Sequence, residues 1–325
     1  MVSGSLRVAL VGAGGVGERH AATLAALDDV HLVAVTDVDA ARAQALADEH
    51  DARTYPTQAD LLDSETVDAI WLCVPPFAHG EPEQLAIDAG VPFFVEKPLG
   101  LDLGTPQNIA GAVEASGLPT ATGYHWRCMP GVERAREVLA GSPVRLATGT
   151  WFDKVPPVAW WTSRSGSGGQ LNEQATHLVD VMRNLVGEPV HLLAAGARVA
   201  ERDPELVDPA TAAVLSFDTG AVATLAATSA LAWKESAALT LVADGLWVQI
   251  GEGKTMLRWS DRVEEVSDEV AKVRVDAEFC AAVRDGDAGA VRVPYAEALR
   301  THRVGIALTE SAATGSPVDL RTSHD

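Results

Sequence analysis

The chain has 325 residues, 47% of them hydrophobic, and its 45 acidic against 25 basic side chains leave a formal net charge of −20. That length exceeds what one hydrophobic core comfortably fills, so two domains are expected, and the acidic balance argues against a general nucleic-acid surface or an anionic membrane as partner. Three cysteines, Cys73, Cys128 and Cys280, are odd in number with no close pair, which fits a reducing compartment and makes the cytoplasm the expected location.

The first predicted element is an apolar strand, Leu6 to Val11, cut off by glycines too early for a signal peptide; nowhere does the chain reach the ~20 apolar residues of a membrane span. Gly12-Ala13-Gly14-Gly15-Val16-Gly17 follows, then a helical stretch from Glu18 to Leu27. Strand, glycine turn and helix are the order a dinucleotide-binding turn requires. Gly12 permits the tight turn, Gly14 lets the backbone approach a pyrophosphate, and Gly17 allows close helix–strand packing, while free N–H groups at the helix start attract the anion. A second strand, His31 to Thr36, delivers Asp37 twenty residues past Gly17. Its carboxylate can accept from both ribose hydroxyls and would repel a 2′-phosphate, and the nearest arginine is Arg42, so NAD is preferred and NADP is the alternative.

Further on, Val67 to Val74 reads as a strand, Glu81 to Ala89 as a helix, Val91 to Val95 as a strand and Pro119 to Gly123 as a short one. Near-continuous apolar strands separated by helices mean a doubly wound parallel sheet covered on both faces, the α/β class. The boundary is placed at Gly123, with residues 1–123 binding the dinucleotide and residues 124–325 forming the second domain. Beyond Val144 the runs pair locally. Ala212 to Phe217 with Ala221 to Thr228, Leu239 to Ala243 with Leu246 to Ile250, and Thr255 to Trp259 with Arg262 to Val266 are three hairpins of a mostly antiparallel sheet. Ser163 to Gly169 reads as a mobile loop. Helices over Asp276 to Arg284 and Tyr295 to Ala313 close the chain, the second stopped by Gly315 and Pro317.

Two constellations carry chemistry. Glu96-Lys97-Pro98 follows the strand Val91 to Val95, placing a cation at the carboxyl edge of the parallel sheet, where ligands bind; Lys97 can stabilise charge on a substrate oxygen as hydride moves, although lysines by type are mostly solvated. In Gly168 to Asp180, spacings of four and three put Glu173, His177 and Asp180 on one helical face, with His177 the natural general acid or base. An amphipathic helix with a wet face fits the same spacing equally well, and one histidine with two acids is a poor zinc set, so no metal is expected. Trp126, Arg127, Trp151, Trp161 and Arg164, with His177 and Lys97, are the candidate substrate contacts. Flat indoles suit a sugar or cyclitol ring, yet tryptophans of a β-domain more often sit in the core.

On Gly12 to Gly17, Asp37, Pro75-Pro76-Phe77-Ala78-His79, Glu96-Lys97-Pro98 and Gly168 to Asp180, the chain resembles the glucose-fructose oxidoreductase / inositol dehydrogenase / MocA family nearly end to end. The resemblance implies a Rossmann domain joined to an α/β domain with a large open, mostly antiparallel sheet whose face supports homodimers or homotetramers. It implies that Lys97 and His177 flank the substrate carbon, that Pro75 and His79 line the nicotinamide side, and that Glu96 belongs with Lys97 to the cofactor edge. Glu173 stands where many dehydrogenase members have Asp, Pro76 where Asn is common, and the proline after the lysine is often cis in relatives. The reading is an NAD(P)-dependent oxidoreductase moving hydride to or from a carbinol carbon of a sugar, cyclitol or polyol. Its rivals are an NADPH-dependent ketoreductase of a nucleotide-linked sugar, with Lys154, Arg164 or Arg127 on the diphosphate, and a non-catalytic dinucleotide sensor.

Overall fold

Strand β1 (Leu6–Val11) is buried along all its length except Arg7, because helices cover both faces of the sheet it centres. With β2 (Val30–Thr36), β3 (Arg53–Thr54), β4 (Ala69–Leu72), β5 (Phe93–Val95) and β6 (Thr120–Thr122) it forms an all-parallel sheet in the order β3-β2-β1-β4-β5-β6. Helices α1 (Gly15–Ala25), α2 (Ala40–Glu49), α3 (Gln58–Ser64), α4 (Glu81–Asp88) and α5 (Gly104–Ser116) make the crossovers. The strand order reverses between β1 and β4, so the carboxyl ends of β1, β2, β4 and β5 present their following residues along one edge at the switch point. The structure is a computed structural model and describes residues 5–197 and 203–321.

One boundary differs from expectation for an instructive reason. Helix α1 starts at Gly15 rather than Glu18, with Gly14 extended as its N-cap and the Glu18 N–H already bonded to the Gly14 carbonyl at 2.9 Å. Glycine is a poor helix former, but here the strand above dictates the path and the helix opens inside the glycine motif.

After α6 (Pro130–Leu139), the long strand β7 (Val144–Lys154) begins a nine-stranded sheet. Short helices α7 (Arg164–Ser167), α8 (Gln170–Glu173) and α9 (Thr176–Leu185) lead into β8 (Pro189–Gly196), β9 (Ala210–Phe217), β10 (Val222–Leu231), β11 (Ser236–Ala243), β12 (Leu246–Gly251), β13 (Lys254–Arg258) and β14 (Val263–Ser267), and β15 (Val318–Asp319) adds one edge. The order is β14-β13-β12-β11-β7-β10-β9-β8-β15, antiparallel throughout except where β7 runs parallel to β10. The three expected hairpins form, β9/β10, β11/β12 and β13/β14. One face packs on Leu178 and Met182 of α9, close enough that a side chain at Gly149 would run into both. The opposite face leaves Leu146, Leu193, Val214, Val222 and Val242 exposed, and the strand register places all five on that side.

Two sequence expectations give way. Ser163 to Gly169 is an ordered turn of helix, with Gly166 and Ser167 buried and the Ser167 N–H bonded to the Ser163 carbonyl at 3.0 Å. Gly166 is required there because a Cβ would strike the Trp160 carbonyl. The segment Gly168 to Asp180 is not one helix: α8 stops at Glu173 and α9 starts at Thr176, so Glu173 and His177 do not share a continuous helical face.

Helices α10 (Ala271–Asp285) and α11 (Tyr295–Thr314) complete the chain. Compactness assigns the chain up to His125 together with Lys272–Leu299 to a first unit, and Trp126–Ala271 with the segment from Arg300 to a second. The expected two-part division near Gly123 therefore acquires a return of the chain, which no local signal announces.

Candidate active site

The glycine turn is built by sterics. At Gly12 the backbone adopts φ +95°, and a Cβ would fall on the Cys73 carbonyl; at Gly17 it would fall on the Gly12 carbonyl, so α1 and β1 pack backbone to backbone. Gly14 and Gly15 are different, since nothing lies within 4 Å of where their Cβ atoms would be. They leave an open cradle at the start of an eleven-residue helix, with backbone in place of side chains. At the end of β2, Asp37 accepts from the Ala13 N–H (2.6 Å) and from the Asp39 N–H (2.7 Å), tying the acid to the turn. Open glycines at a helix N-terminus beside a fixed carboxylate fit the pyrophosphate and adenosine ribose of a dinucleotide. Asp37→Asn keeps an acceptor for Ala13 and removes the charge. The NADP-to-NAD ratio of kcat/KM is expected to rise about tenfold or more, as for loss of one charge-assisted hydrogen bond, and an unchanged ratio would remove Asp37 from cofactor choice.

Beyond β5 the chain turns through Glu96, Lys97 and Pro98, and the Lys97–Pro98 peptide is cis. The Glu96 carboxylate is committed within the protein. Its Oε1 receives the Arg19 guanidinium at 3.1 Å and faces His20 Nε2 at 3.0 Å, while its Oε2 accepts the Lys97 backbone N–H at 3.1 Å. Burial alone would raise Glu96, but the His20 hydrogen bond and the charges of Arg19, His20 and Lys97 outweigh it and hold the carboxyl at about 2. Glu96 was expected at the cofactor edge. Both its oxygens are bonded by the chain's own groups, Oε1 by Arg19 and His20 and Oε2 by the Lys97 N–H.

Burial likewise pushes the Cys73 thiol up and His125 down to about 3, with Arg19 reinforcing the latter. Pro75 is extended and introduces a single turn over Pro76–Ala78. His79, expected beside the nicotinamide, is a buried ring whose Nδ1 lies 2.6 Å from Glu83, and Glu83 also accepts the Gly80 N–H. Its Nε2 is buried with no hydrogen-bond partner among the described residues.

In the second unit His177, in the first turn of α9, forms a triangle of rings with two indoles: it lies 6.2 Å from Trp126 at 14° and 6.0 Å from Trp151 at 20°, and the indoles are themselves 6.2 Å apart. The Lys234 ammonium lies 4.6 Å over the Trp151 ring. Trp126, Trp151 and Trp161 are 0%, 5% and 1% exposed, so the rings are packed in, as tryptophans of a β-domain more often are, two of them against His177. Trp161 Nε1 donates to Glu173 Oε2 at 2.8 Å, so this acid is anchored to the preceding segment. Arg127 is not a cleft cation either. Its Nε and Nη2 each bond Asp180 at 2.8 Å, and Asp180 also accepts from Thr301 at 2.9 Å. Arg164 pairs with Asp208 at 2.9 Å and donates to the Pro204 carbonyl.

Sequence reasoning missed His20 and Asp276. His20, three residues after the last glycine, carried a weak local signal, being a histidine on the inward face of a predicted helix. Asp276 carried none, because its partners lie two hundred or more positions earlier.

Comparison with known proteins follows the same two units. Residues 6–124 match the family model of an oxidoreductase family with an NAD-binding Rossmann fold, and residues 135–248 match the GFO/IDH/MocA C-terminal domain. The chain is 33% identical over 207 residues to the myo-inositol dehydrogenase Hyg17 of Streptomyces leeuwenhoekii, covering 62% of each protein. It is 31% identical over 224 residues to the UDP-N-acetylglucosamine 3-dehydrogenase of Acidithiobacillus ferrooxidans, covering 68% of this chain and 66% of that one. These matches span slightly under two thirds of the relatives' own length. A solved levoglucosan dehydrogenase in complex with NADH and levoglucosan shares the fold with a TM-score of 0.87 at 19% identity, over 97% of this chain and 99% of that one. No described helix is long and apolar enough to cross a membrane. Two successive domain matches on one chain, over a glycine cradle with its acid, make this protein a member of the Gfo/Idh/MocA family of oxidoreductases, with an NAD-binding Rossmann domain at its N-terminus.

Proposed function

We propose that the protein is an NAD-dependent dehydrogenase that moves hydride between the nicotinamide and a carbinol carbon of a sugar, cyclitol or related polyol. The observation that carries this reading is the Glu96-Lys97-Pro98 turn, which places an ammonium-bearing residue at the carboxyl end of β5, on the same sheet edge as the glycine cradle. Bound NAD supplies a two-electron hydride acceptor, and the chain must supply everything else. In the oxidising direction His177 takes the hydroxyl proton and Lys97 donates to the oxygen as it becomes a carbonyl; reduction uses the same groups in reverse. Trp126 and Trp151 pack together beside the His177 ring, and Glu173, bonded to Trp161, steadies the segment leading to it. The test is a 340 nm absorbance screen with both cofactors against polyols, aldoses and keto-sugars, with Lys97→Ala as control. No turnover across that panel would defeat the proposal.

A small unphosphorylated substrate is favoured over a nucleotide-linked sugar because two of the three candidate diphosphate contacts, Arg127 and Arg164, are engaged by the chain's own carboxylates. Three cysteines, odd in number and without a close pair in sequence, support a cytoplasmic setting. We further propose that the open sheet face is where copies of the chain associate into a homodimer or homotetramer, since five large apolar side chains share it. Val214→Glu, at a position 57% exposed, is expected to halve or quarter the mass seen by light scattering with melting temperature little changed. An unaltered mass would place the interface elsewhere.

A further inference from the structure

One set of buried polar groups of the first unit that the proposed chemistry leaves unused converges on the turn carrying Lys97. His20, on α1, is 1% exposed. Its Nδ1 lies 2.7 and 2.9 Å from the two Asp276 oxygens and its Nε2 lies 3.0 Å from Glu96 Oε1. Trp71 Nε1 donates to Asp276 at 3.0 Å, fixing that carboxylate from the sheet side. The remaining Glu96 oxygen holds the backbone N–H of Lys97. A carboxylate at each ring nitrogen favours the imidazolium, in which both nitrogens donate; the Arg19 guanidinium also lies 3.2 Å from Nε2, and it is the two anions that keep the proton on the ring.

We infer that His20 and Asp276 are positioning residues for Lys97: together they clamp Glu96, and Glu96 clamps the backbone from which the Lys97 side chain projects. This assignment rests on the proposed role of Lys97. Desolvation alone would lower His20, but the charge and hydrogen bond of Asp276, followed by those of Glu96, lift it to about 9. Facing the same cluster are Arg19 from α1, Cys73 after β4, Lys97 itself, His125 after β6, and Lys272 and Cys280 from α10. Arg19, partly exposed, and Lys97 are the other cations acting on Glu96, so neutralising His20 takes away the cation that lies between the two carboxylates. The folded-state value lies above the ordinary 6.5, so the clamp is complete below about pH 6.5 and fails as pH rises through about 9.

The test uses the full-length protein and two readouts. Hydrogen exchange of the ligand-free protein over the peptide spanning Phe94 to Gly100 reads the clamp without any substrate. In Asp276→Asn and His20→Gln, folded by thermal melting, exchange there is expected to accelerate about tenfold, the scale of one lost local contact network. Kinetically, kcat should fall about tenfold with the KM for NAD within about twofold, and in Asp276→Asn the alkaline limb of kcat should move at least about one unit lower. A purely structural role would lower the melting temperature and leave that limb where it was. Should Asp276→Asn fail to fold, Trp71→Phe removes a donor to the same carboxylate while keeping every charge, and a severalfold faster exchange of the same peptide is expected. Unchanged exchange in the folded variants, or an unmoved limb, overturns the inference. Wild-type protein that transfers no hydride defeats the dehydrogenase reading instead, and the exchange result still decides the clamp.

Discussion

Lys97→Ala is expected to lower kcat/KM by about a hundredfold to a thousandfold, the loss typical of one preorganised donor at a developing oxyanion, while NAD affinity stays within about threefold. The separation follows from where Lys97 sits. In the proposed site the dinucleotide is held by backbone at Gly14 and Gly15 and by Asp37, none of which changes, whereas the ammonium is called on only as charge grows on the substrate oxygen. Lys97→Arg should not rescue, because a planar, more bulky guanidinium cannot occupy the position of a compact ammonium on a rigid turn. His177→Ala is expected to cost a comparable factor by removing the proton acceptor, and its loss should fall mainly on kcat. Stopped-flow traces at 340 nm under single turnover measure both. If the two variants turned over at near wild-type rates, the assignment of acid, base and electrophile would be wrong.

Asp180→Ala is expected to destabilise the second unit by about 3–5 kcal/mol, with a melting temperature lower by roughly 10 °C. Asp180 is completely buried and receives two bonds from Arg127 and one from Thr301. Removing it takes the bidentate carboxylate from a buried guanidinium, and the cost is that of breaking a buried ion pair from one side. The same logic gives a sharper expectation for the pair. Arg127→Met with Asp180→Leu together should be less damaging than Asp180→Ala alone, because no charge is left behind. Differential scanning calorimetry of the three proteins decides it. A double variant worse than Asp180→Ala would mean that the pair stabilises through geometry rather than mutual neutralisation.

Much of this molecule was readable locally. The strand–glycine–helix turn is a local device, so Gly12, Gly14, Gly17 and Asp37 could be read as a cradle with its acid. The hairpins β9/β10, β11/β12 and β13/β14 close over a few residues, and their turn residues announced them. By contrast, β7 pairs with β10 and β11, each more than seventy residues further along, and its parallel pairing with β10 leaves no trace in its own pattern. The break between α8 and α9 was hidden because the Gly168 to Asp180 segment keeps a helical spacing of side chains on either side of it.

Side-chain roles divide in the same way. Spacing made Lys97 and His177 candidates, a lysine after a parallel strand and a histidine in an amphipathic segment, and the family resemblance raised them above a solvated lysine and a wet helix face. Neither could say that Arg127 and Arg164 are consumed by Asp180 and Asp208, or that Trp126 and Trp151 face His177 rather than solvent, because burial and pairing belong to neighbours distant in sequence. Family, fold class and cofactor were thus determined by the sequence alone, through motifs whose physics is confined to a strand, a turn and the helix after it. The partners of Glu96 were decided only by the tertiary structure. Asp276 reaches His20 from 256 residues away, and a buried charge is stabilised only by the groups folding brings to it.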